Sequence, residues 1–402
     1  EIMPSLVGSE MCIRDSIIIR LKMKIDVFIE KVSSFLPNNP IGNEEMEEYL
    51  GLIEGKPSRV KNLVLKQNGI QRRYYALNKN QEITHTNAEL AAMAIRGIFK
   101  EEGDLANVEL MTTATSIPDQ ILPSHASMVH GLLPELGNIE IFSTAGVCLT
   151  SLQALKIAYL AVAVGDKENA ICSASELVSA TLLSKHYDAE YEKCHSIGEN
   201  PYFGFEKDFL RFMLSDGAGA VLLGNKPNDQ GLSFKIEWID MQSYANECPV
   251  CMLAGGEFNL DGSTTSWKMF ENKDFMDKSI FAVKQDIRLL KRYIIKLWVN
   301  HIEEVLAKHG VKDVDIDYVI PHVSSMFFYK ELLREIDERN IDLLENKWFT
   351  NLTWVGNMGS ASIFVALDEL VRTKELQKGE TILLLVPESG RFSYGTVLIS
   401  VV

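Results

Sequence analysis

Three positions in the 402-residue chain place a reactive side chain where chemistry is commonly done. Cys148 stands in STAGVCLTSLQALKIAYLAVAVGD, where small residues give way to a long apolar-periodic run. A thiol in the first turn of a helix faces free backbone N–H groups and the positive end of the helix dipole, and both favour thiolate. His322 stands in DYVIPHVSSMFF, where an apolar strand ends, and Asn357 in the Gly-bounded turn of TWVGNMGSASIFVALDELV, just before a helix. Sites in α/β sheets gather at the carboxyl ends of strands. A cysteine with a histidine and an amide beside it is a general arrangement for acyl transfer, the amide giving a second hydrogen bond to a substrate carbonyl or enolate. Singly, each has a plain structural explanation as a core cysteine or a turn residue. The signal is the conjunction.

Other positions carry less. Cys248-Pro-Val-Cys251 has CxxC spacing, but without a second pair or a nearby pair of histidines it reads as loop packing rather than zinc or redox chemistry. No metal site and no cofactor are expected. Lys284, Arg288, Lys291, Arg292 and Lys296 fall at helical spacing opposite Val283, Ile287, Leu290, Ile294 and Leu297. That pattern is first a solvated helix face; as a functional surface, Lys284, Arg288 and Arg292 would dock an acidic partner. Glu176 reads as the anchor of a helix start rather than a base. His125 and His130 carry no assigned role. Gly217 and Gly219 read as turn glycines, since no helix start follows to make a phosphate cradle.

The elements that must position these residues alternate between strand and helix. KIDVFIEKVSSFLP, VELMTTAT, NIEIFSTAG and ENAICSASEL read as strands, and TNAELAAMAIRGIFKEEG as a helix. LTSLQALKIAYLAVAVGD is so evenly apolar that it predicts a buried helix. FMLSDGAGAVLLGN predicts two short strands about an Asp-Gly turn. Composition turns polar at GNKPNDQG and the pattern starts afresh: strand SFKIEWIDMQSYA, one long helix from Met276 to Gly310, strand IDYVIPH, helices SSMFFYKELLREI and SASIFVALDELVRTK, then strands ETILLLVPES and FSYGTVLISVV. The repeated order predicts a duplicated α/β architecture, with halves at 23–228, carrying Cys148, and 229–402, carrying His322 and Asn357. LVGSEMCIRDS, within residues 1–22, resembles a translated sequencing adapter, and that segment is set aside from the fold.

Bulk composition bounds the function. Apolar residues make up 46% and the formal net charge is −15, which argues for a sizeable core and against binding nucleic acid or an anionic membrane surface. Six scattered cysteines do not make a disulfide scaffold, so a reduced cytoplasm is expected. No apolar run reaches the roughly 18 residues of a membrane span.

STAGVCLTSLQALKIA, LSDGAGAVLLG, VIPHVSS, VGNMGSASIFVALDE and PESGRFSYGTVLI resemble, in order, the signature segments of the β-ketoacyl-acyl-carrier-protein synthase III family. KNLVLKQNGIQRRYYAL resembles its N-terminal Gly-Ile-x-x-Arg segment. The resemblance spans residues 60–402 and implies a thiolase fold of two similar βαβαβαββ halves in a five-layer αβαβα arrangement. FLPNNPIGNEEMEEYLG resembles most the ketosynthases of dialkylresorcinol and flexirubin-type pathways.

The resemblance implies that Cys148 takes up an acyl group and that His322 and Asn357 stabilise the enolate of the second substrate. The N–H groups of Cys148 and Gly390 would form the oxyanion hole. It further implies acyl-carrier-protein-bound substrates and a homodimer in which Leu122 lids the partner subunit's pocket. Departures are visible. Val147 and Leu149 are bulkier than the family's usual neighbours of the cysteine and are expected to reshape the pocket. No aromatic precedes Gly69-Ile70 to stack on coenzyme A, and Phe327 replaces an arginine at the carrier-protein mouth. Three functions are therefore in play: a condensing and cyclising dialkylresorcinol-type ketosynthase, a fatty-acid-priming synthase III using malonyl carrier protein, and a noncatalytic partner subunit.

Overall fold

The computed structural model describes residues 24–99, 102–188, 208–229 and 231–402. Cys12 and Cys194 lie outside them, as does the adapter-like segment. Nine strands form one continuous sheet: β1 (Phe28–Phe35), β2 (Leu110–Thr115), β3 (Glu140–Ala145), β4 (Asn169–Glu176), β5 (Gly217–Gly224), β6 (Phe234–Ser243), β7 (Tyr318–Pro321), β8 (Thr381–Glu388) and β9 (Ser393–Val401). The six helices that matter here are α1 (Asn87–Ile98), α2 (His125–Gly131), α3 (Thr150–Ala163), α4 (Ile287–His309), α5 (Met326–Glu338) and α6 (Ser362–Thr373).

The sheet is two sheets joined at a narrow seam. β1 and β6 share only the pairs Phe28–Lys235 and Ile29–Phe234. Outward from that seam the first half runs β1, β5, β4, β2, β3: two antiparallel steps, then two parallel ones. The second half runs β6, β9, β8, β7, again two antiparallel steps and then a parallel one. The order is the same. Where the first half has its edge strand β3, the second has only a parallel bridge between Val319 and Trp348.

Burial explains why the strands read as unbroken apolar runs, since a strand covered on both faces needs no polar side. Along β8, Ile382, Leu384 and Val386 join the core shared with α3 and α6, while Leu383 and Leu385 join the core under α4 and α5. Along β5, Val221 and Leu223 face the shared core, and Ala218, Ala220 and Leu222 face α1. The layers are therefore α4 with α5, sheet, α3 with α6, sheet, α1, which is the expected five-layer thiolase fold.

Two local expectations fail. Residues 217–224 form one strand rather than two about a turn. Gly217 and Gly219 serve close packing: a Cβ at Gly217 would lie 2.5 Å from Met358 Sδ, and one at Gly219 2.6 Å from Phe364 Cβ. They let α6 and the segment before it sit directly on β5. The long helix begins at Ile287, not Met276, because Asp286 caps it, its carboxylate accepting from the N–H groups of Arg288 (2.8 Å) and Leu289 (3.0 Å). Val283 and Lys284 precede the helix, and their match to its period is accidental.

Candidate active site

Cys148 sits in the turn between β3 and α3, one residue ahead of the helix N-cap Leu149. Three bonds pin the turn. Thr144 Oγ1 reaches the Thr150 carbonyl at 3.0 Å, Ser151 Oγ donates to the Cys148 carbonyl at 3.2 Å, and the Val147 N–H donates to Glu388 Oε2 at 3.3 Å.

Asn357 is held between its own turn and the segment 213–215. Its N–H donates to the Met213 carbonyl (3.2 Å), and its carbonyl accepts from the Ser215 N–H (2.8 Å). Its Oδ1 accepts from the Gly359 N–H (3.0 Å), which fixes the amide so that its N–H donors turn the other way. Gly356, at φ +76°, allows the preceding bend; a Cβ there would lie 2.8 Å from Ser215 Cβ and 3.0 Å from Arg73 Cβ. Beneath the turn, the buried Glu176 accepts from the N–H and hydroxyl of both Ser116 (3.0 and 2.7 Å) and Ser360 (3.1 and 2.6 Å). It bonds the short helical turn at Ser360, far along the chain, and so ties the end of β2 to the Asn357 turn.

Cys148 and Asn357 line one cavity of about 410 Å³. Its walls are mainly apolar, with Ile117, Val147, Val178, Met213, Leu214 and Met252 among them. His322 follows β7 directly, with its N–H on the Leu385 carbonyl at 2.8 Å, and is two residues ahead of Ser324, which lines the cavity. His322 itself is not part of that lining, and its side chain is buried.

The electrostatics differ from a simple dipole argument. Burial pushes the Cys148 thiol well above its usual range, the carboxylates of Glu388 and Glu176 add to the rise, and the thiol's own backbone N–H opposes it. The resting thiol is protonated, so the helix N-terminus does not by itself yield a thiolate. Burial holds the His322 imidazole down to about 4, so it is neutral at physiological pH.

The remaining candidates sort as follows. Gly390 packs against the Cys148 turn, a Cβ there meeting Val147 Cγ2 at 3.0 Å. Its carbonyl accepts from the N–H groups of Cys251 (2.9 Å) and Met252 (3.2 Å). The CxxC loop thus clamps Gly390 and leads into the cavity wall at Met252; among the described residues, no group of three or more ligating side chains could hold a metal ion. Val147 lines the cavity, but Leu149 points into the core between the sheets and does not shape the pocket. Leu122 is 82% exposed and does not touch its own chain's cavity. Arg288 and Arg292 are exposed on α4, whereas Lys284 is tied to Glu257 (2.5 Å) and the Lys278 carbonyl (2.7 Å), which removes it from a docking face. Phe327 lies under Lys291, whose Nζ is 5.5 Å from the ring centroid. His125 bonds Ser175 Oγ (3.0 Å) and His130 the Gly137 carbonyl (2.8 Å), and neither lines the cavity. Glu388 was not foreseen; its one sequence signal is an acidic residue at the end of an apolar strand, just before Ser-Gly.

A half-buried thiol in a strand–helix turn, an amide in a loop and a neutral imidazole at a strand end are set in a two-sheet, five-layer thiolase fold. Residues 306–401 match the family model described as 3-oxoacyl-[acyl-carrier-protein] synthase III C terminal. A β-ketoacyl-[acyl-carrier-protein] synthase III of Clostridium perfringens is 26% identical over 367 residues, covering 91% of this chain and 96% of that one. Among solved structures, a synthase III from Aquifex aeolicus has a TM-score of 0.66 at 20% identity, covering 93% and 99% of the two chains. OleA of Xanthomonas campestris, crystallised as a C143S variant with lauric acid and lauroyl-CoA, has a TM-score of 0.70 at 18% identity, covering 93% and 99%. Over nearly its whole length the chain is thus similar to β-ketoacyl-[acyl-carrier-protein] synthase III proteins, in sequence and in fold.

Proposed function

We propose that the protein joins two acyl thioesters by a carbon–carbon bond through an acyl-Cys148 intermediate, and that it condenses and cyclises β-ketoacyl chains to a dialkylresorcinol-type precursor. The observation that carries the reading is that Cys148 and Asn357, from different halves of the fold, face one apolar cavity of about 410 Å³. An apolar enclosed wall suits an acyl chain.

In this reading the Cys148 sulfur attacks the thioester carbonyl of a carrier-bound acyl group, and the carrier thiol leaves with the proton. The Cys148 and Gly390 N–H groups carry the charge of the tetrahedral intermediate. A second β-ketoacyl thioester gives its acidic α-proton to water, and the resulting enolate oxygen is held by neutral His322 and the Asn357 amide. Its carbon attacks acyl-Cys148, a carbon–carbon bond forms, and the Cys148 thiolate is released. Where the chain carried by Cys148 is α,β-unsaturated, cyclisation then closes a six-membered dione: the γ-carbon of the β-ketoacyl unit bonds to the chain's β-carbon, and its proton passes to the chain's α-carbon. Exposed Ile121 and Leu122, together with the free edge strand β3, support the homodimer, with Leu122 reaching the partner's pocket. Among the described residues no helix is long and apolar enough to cross a membrane, and a cytoplasmic enzyme that meets acyl carrier protein fits that.

The priming reaction with malonyl carrier protein is a second reading, favoured by the names that relatives such as the Clostridium perfringens protein carry. Intact-protein mass spectrometry separates the readings. The protein and a Cys148→Ala variant are each mixed with an unsaturated acyl carrier protein and a β-ketoacyl thioester. A Cys148-dependent adduct and a cyclic dione are expected. An adduct that turns over only with malonyl carrier protein means the priming reaction, and no adduct at all means a noncatalytic subunit.

A further inference from the structure

Glu388 ends β8 in the second half of the fold, yet its carboxylate reaches into the Cys148 turn of the first half. Oε2 accepts the Val147 N–H at 3.3 Å and lies 3.5 Å from where a Cβ on Gly146 would be. Oε1 lies 3.3 Å from the corresponding point on Gly390. The carboxylate therefore sits between Gly146 and Gly390, one glycine from each half, within electrostatic reach of the Cys148 thiol. No Lys, Arg or His among the described residues makes an ion pair with it. Burial keeps its carboxyl above the usual range, and backbone N–H groups of the Cys148 turn pull the other way. A carboxylate without a cationic partner in a largely apolar site is costly, and simple packing would be better served by an amide or an apolar group.

We propose that Glu388 is a positioning residue of the acyl-enzyme step: it clasps the Cys148 turn to the Gly390 turn and so sets the spacing of the two oxyanion-hole donors across the halves. The inference rests on the ketosynthase reading for its purpose, not for its geometry. Burial is the main cause that raises the Cys148 thiol, and the charge of Glu388 adds to it, followed by that of Glu176.

Glu388→Gln keeps an oxygen acceptor for Val147 and removes the charge, and Glu388→Ala removes the clasp. Two readouts are taken on the full chain: Cys148 alkylation by iodoacetamide against pH, read by peptide mass spectrometry, and the rate of acyl adduct formation from an acyl carrier protein. Glu388→Gln should alkylate faster at pH 8, by about 5-fold, because a carboxylate within electrostatic reach of the thiol is gone. Glu388→Ala should load acyl groups about 10- to 100-fold more slowly at saturating donor, as expected for a misplaced oxyanion donor. Wild-type alkylation profiles and wild-type loading in both variants would overturn the proposal. If Glu388→Ala fails to fold, Glu388→Gln decides alone through its alkylation profile. An alkylation shift in a protein that loads no acyl thioester would uphold the clasp and reject the ketosynthase reading instead.

Discussion

The two halves share a strand order but end differently, and the difference places the site. In the first half β3 pairs with β2 along all six residues and runs straight into the Cys148 turn. In the second half the matching edge is one bridge at Trp348, backed by the Phe349 N–H on the Val319 carbonyl at 2.8 Å. Trp348 replaces the missing ladder with packing: its Nε1–H donates to the Leu343 carbonyl at 3.0 Å and its ring meets Tyr329 edge-on. Released from an edge strand, the chain from 350 to 357 bends back onto Met213 and Ser215 and delivers Asn357 to the cavity. One half holds its site residue on a sheet edge, and the other on a loop braced by its neighbour.

The largest test of that division is chemical. Cys148→Ala should abolish the acyl adduct, whereas Asn357→Ala and His322→Ala should still load and then fail to condense, by about 10²- to 10³-fold for each lost donor. Adduct mass and product yield, measured separately, read the two steps. Loss of loading in Asn357→Ala would break the comparison, since the second half would then serve the first step too.

Packing across the seam gives the next effect. Gly219 in β5 faces backbone: an added Cβ meets Phe364 Cβ at 2.6 Å and the Val365 nitrogen at 3.1 Å. Gly395 in β9 faces side-chain ends, Leu149 Cδ1 at 2.4 Å and Leu152 Cδ1 at 3.0 Å. Overpacking a core costs about 1–3 kcal/mol. Gly219→Ala should fall at the upper end and Gly395→Ala at the lower, because a leucine tip can swing aside and a backbone cannot. Equal losses in chemical denaturation would mean that both faces yield alike.

Much of this was legible in the sequence, for a reason these glycines make plain. Strands β5 and β8 are apolar on both faces, so they stand out as runs, and the evenly apolar α3 marks the junction at Cys148. What was illegible depends on partners far along the chain. Asp216-Gly217 looks like a turn until Met358 and Phe364 are seen to need the space. Val283 and Lys284 match the helical period until Asp286 is seen to cap the helix after them. Glu388 is silent because its partner, Val147, lies 241 residues away.

Acid stability separates the halves again. Burial holds His125, in the first half, and His301, in the second, each down to about 4. The unfolded chain protonates histidine near pH 6.5, the folded chain only near 4. Stability is therefore full above about 6.5 and falls as pH drops toward 4, by an amount on the order of 3 kcal/mol per residue. His125 has Ser175 as a partner, but neither ring nitrogen of His301 has one among the described residues, with Asp240 and Lys308 the nearest charges. His301→Leu should flatten the acid limb and also gain stability at pH 7, while His125→Leu should flatten it and lose the Ser175 bond. Urea unfolding at pH 7 and pH 5 reads both, and an unchanged slope for His301→Leu would show that the ring is hydrated and titrates normally.

The smallest effect concerns the exposed face of α4 and the loop before it. Arg288 and Arg292 are exposed there, whereas Lys284 is enclosed by Glu257 and the Lys278 carbonyl. If α4 meets an acidic carrier protein, Arg288→Glu with Arg292→Glu should raise KM for a carrier-bound acyl donor by about 3- to 10-fold at low salt, with kcat unchanged. The penalty should shrink as salt screens the contact. Lys284→Glu should act differently, lowering thermal stability by setting two carboxylates together at Glu257 while leaving the salt dependence of KM alone. A KM unchanged in the double variant would return that face to solvent, since a face that merely carries charge does not discriminate carrier-bound from free thioester.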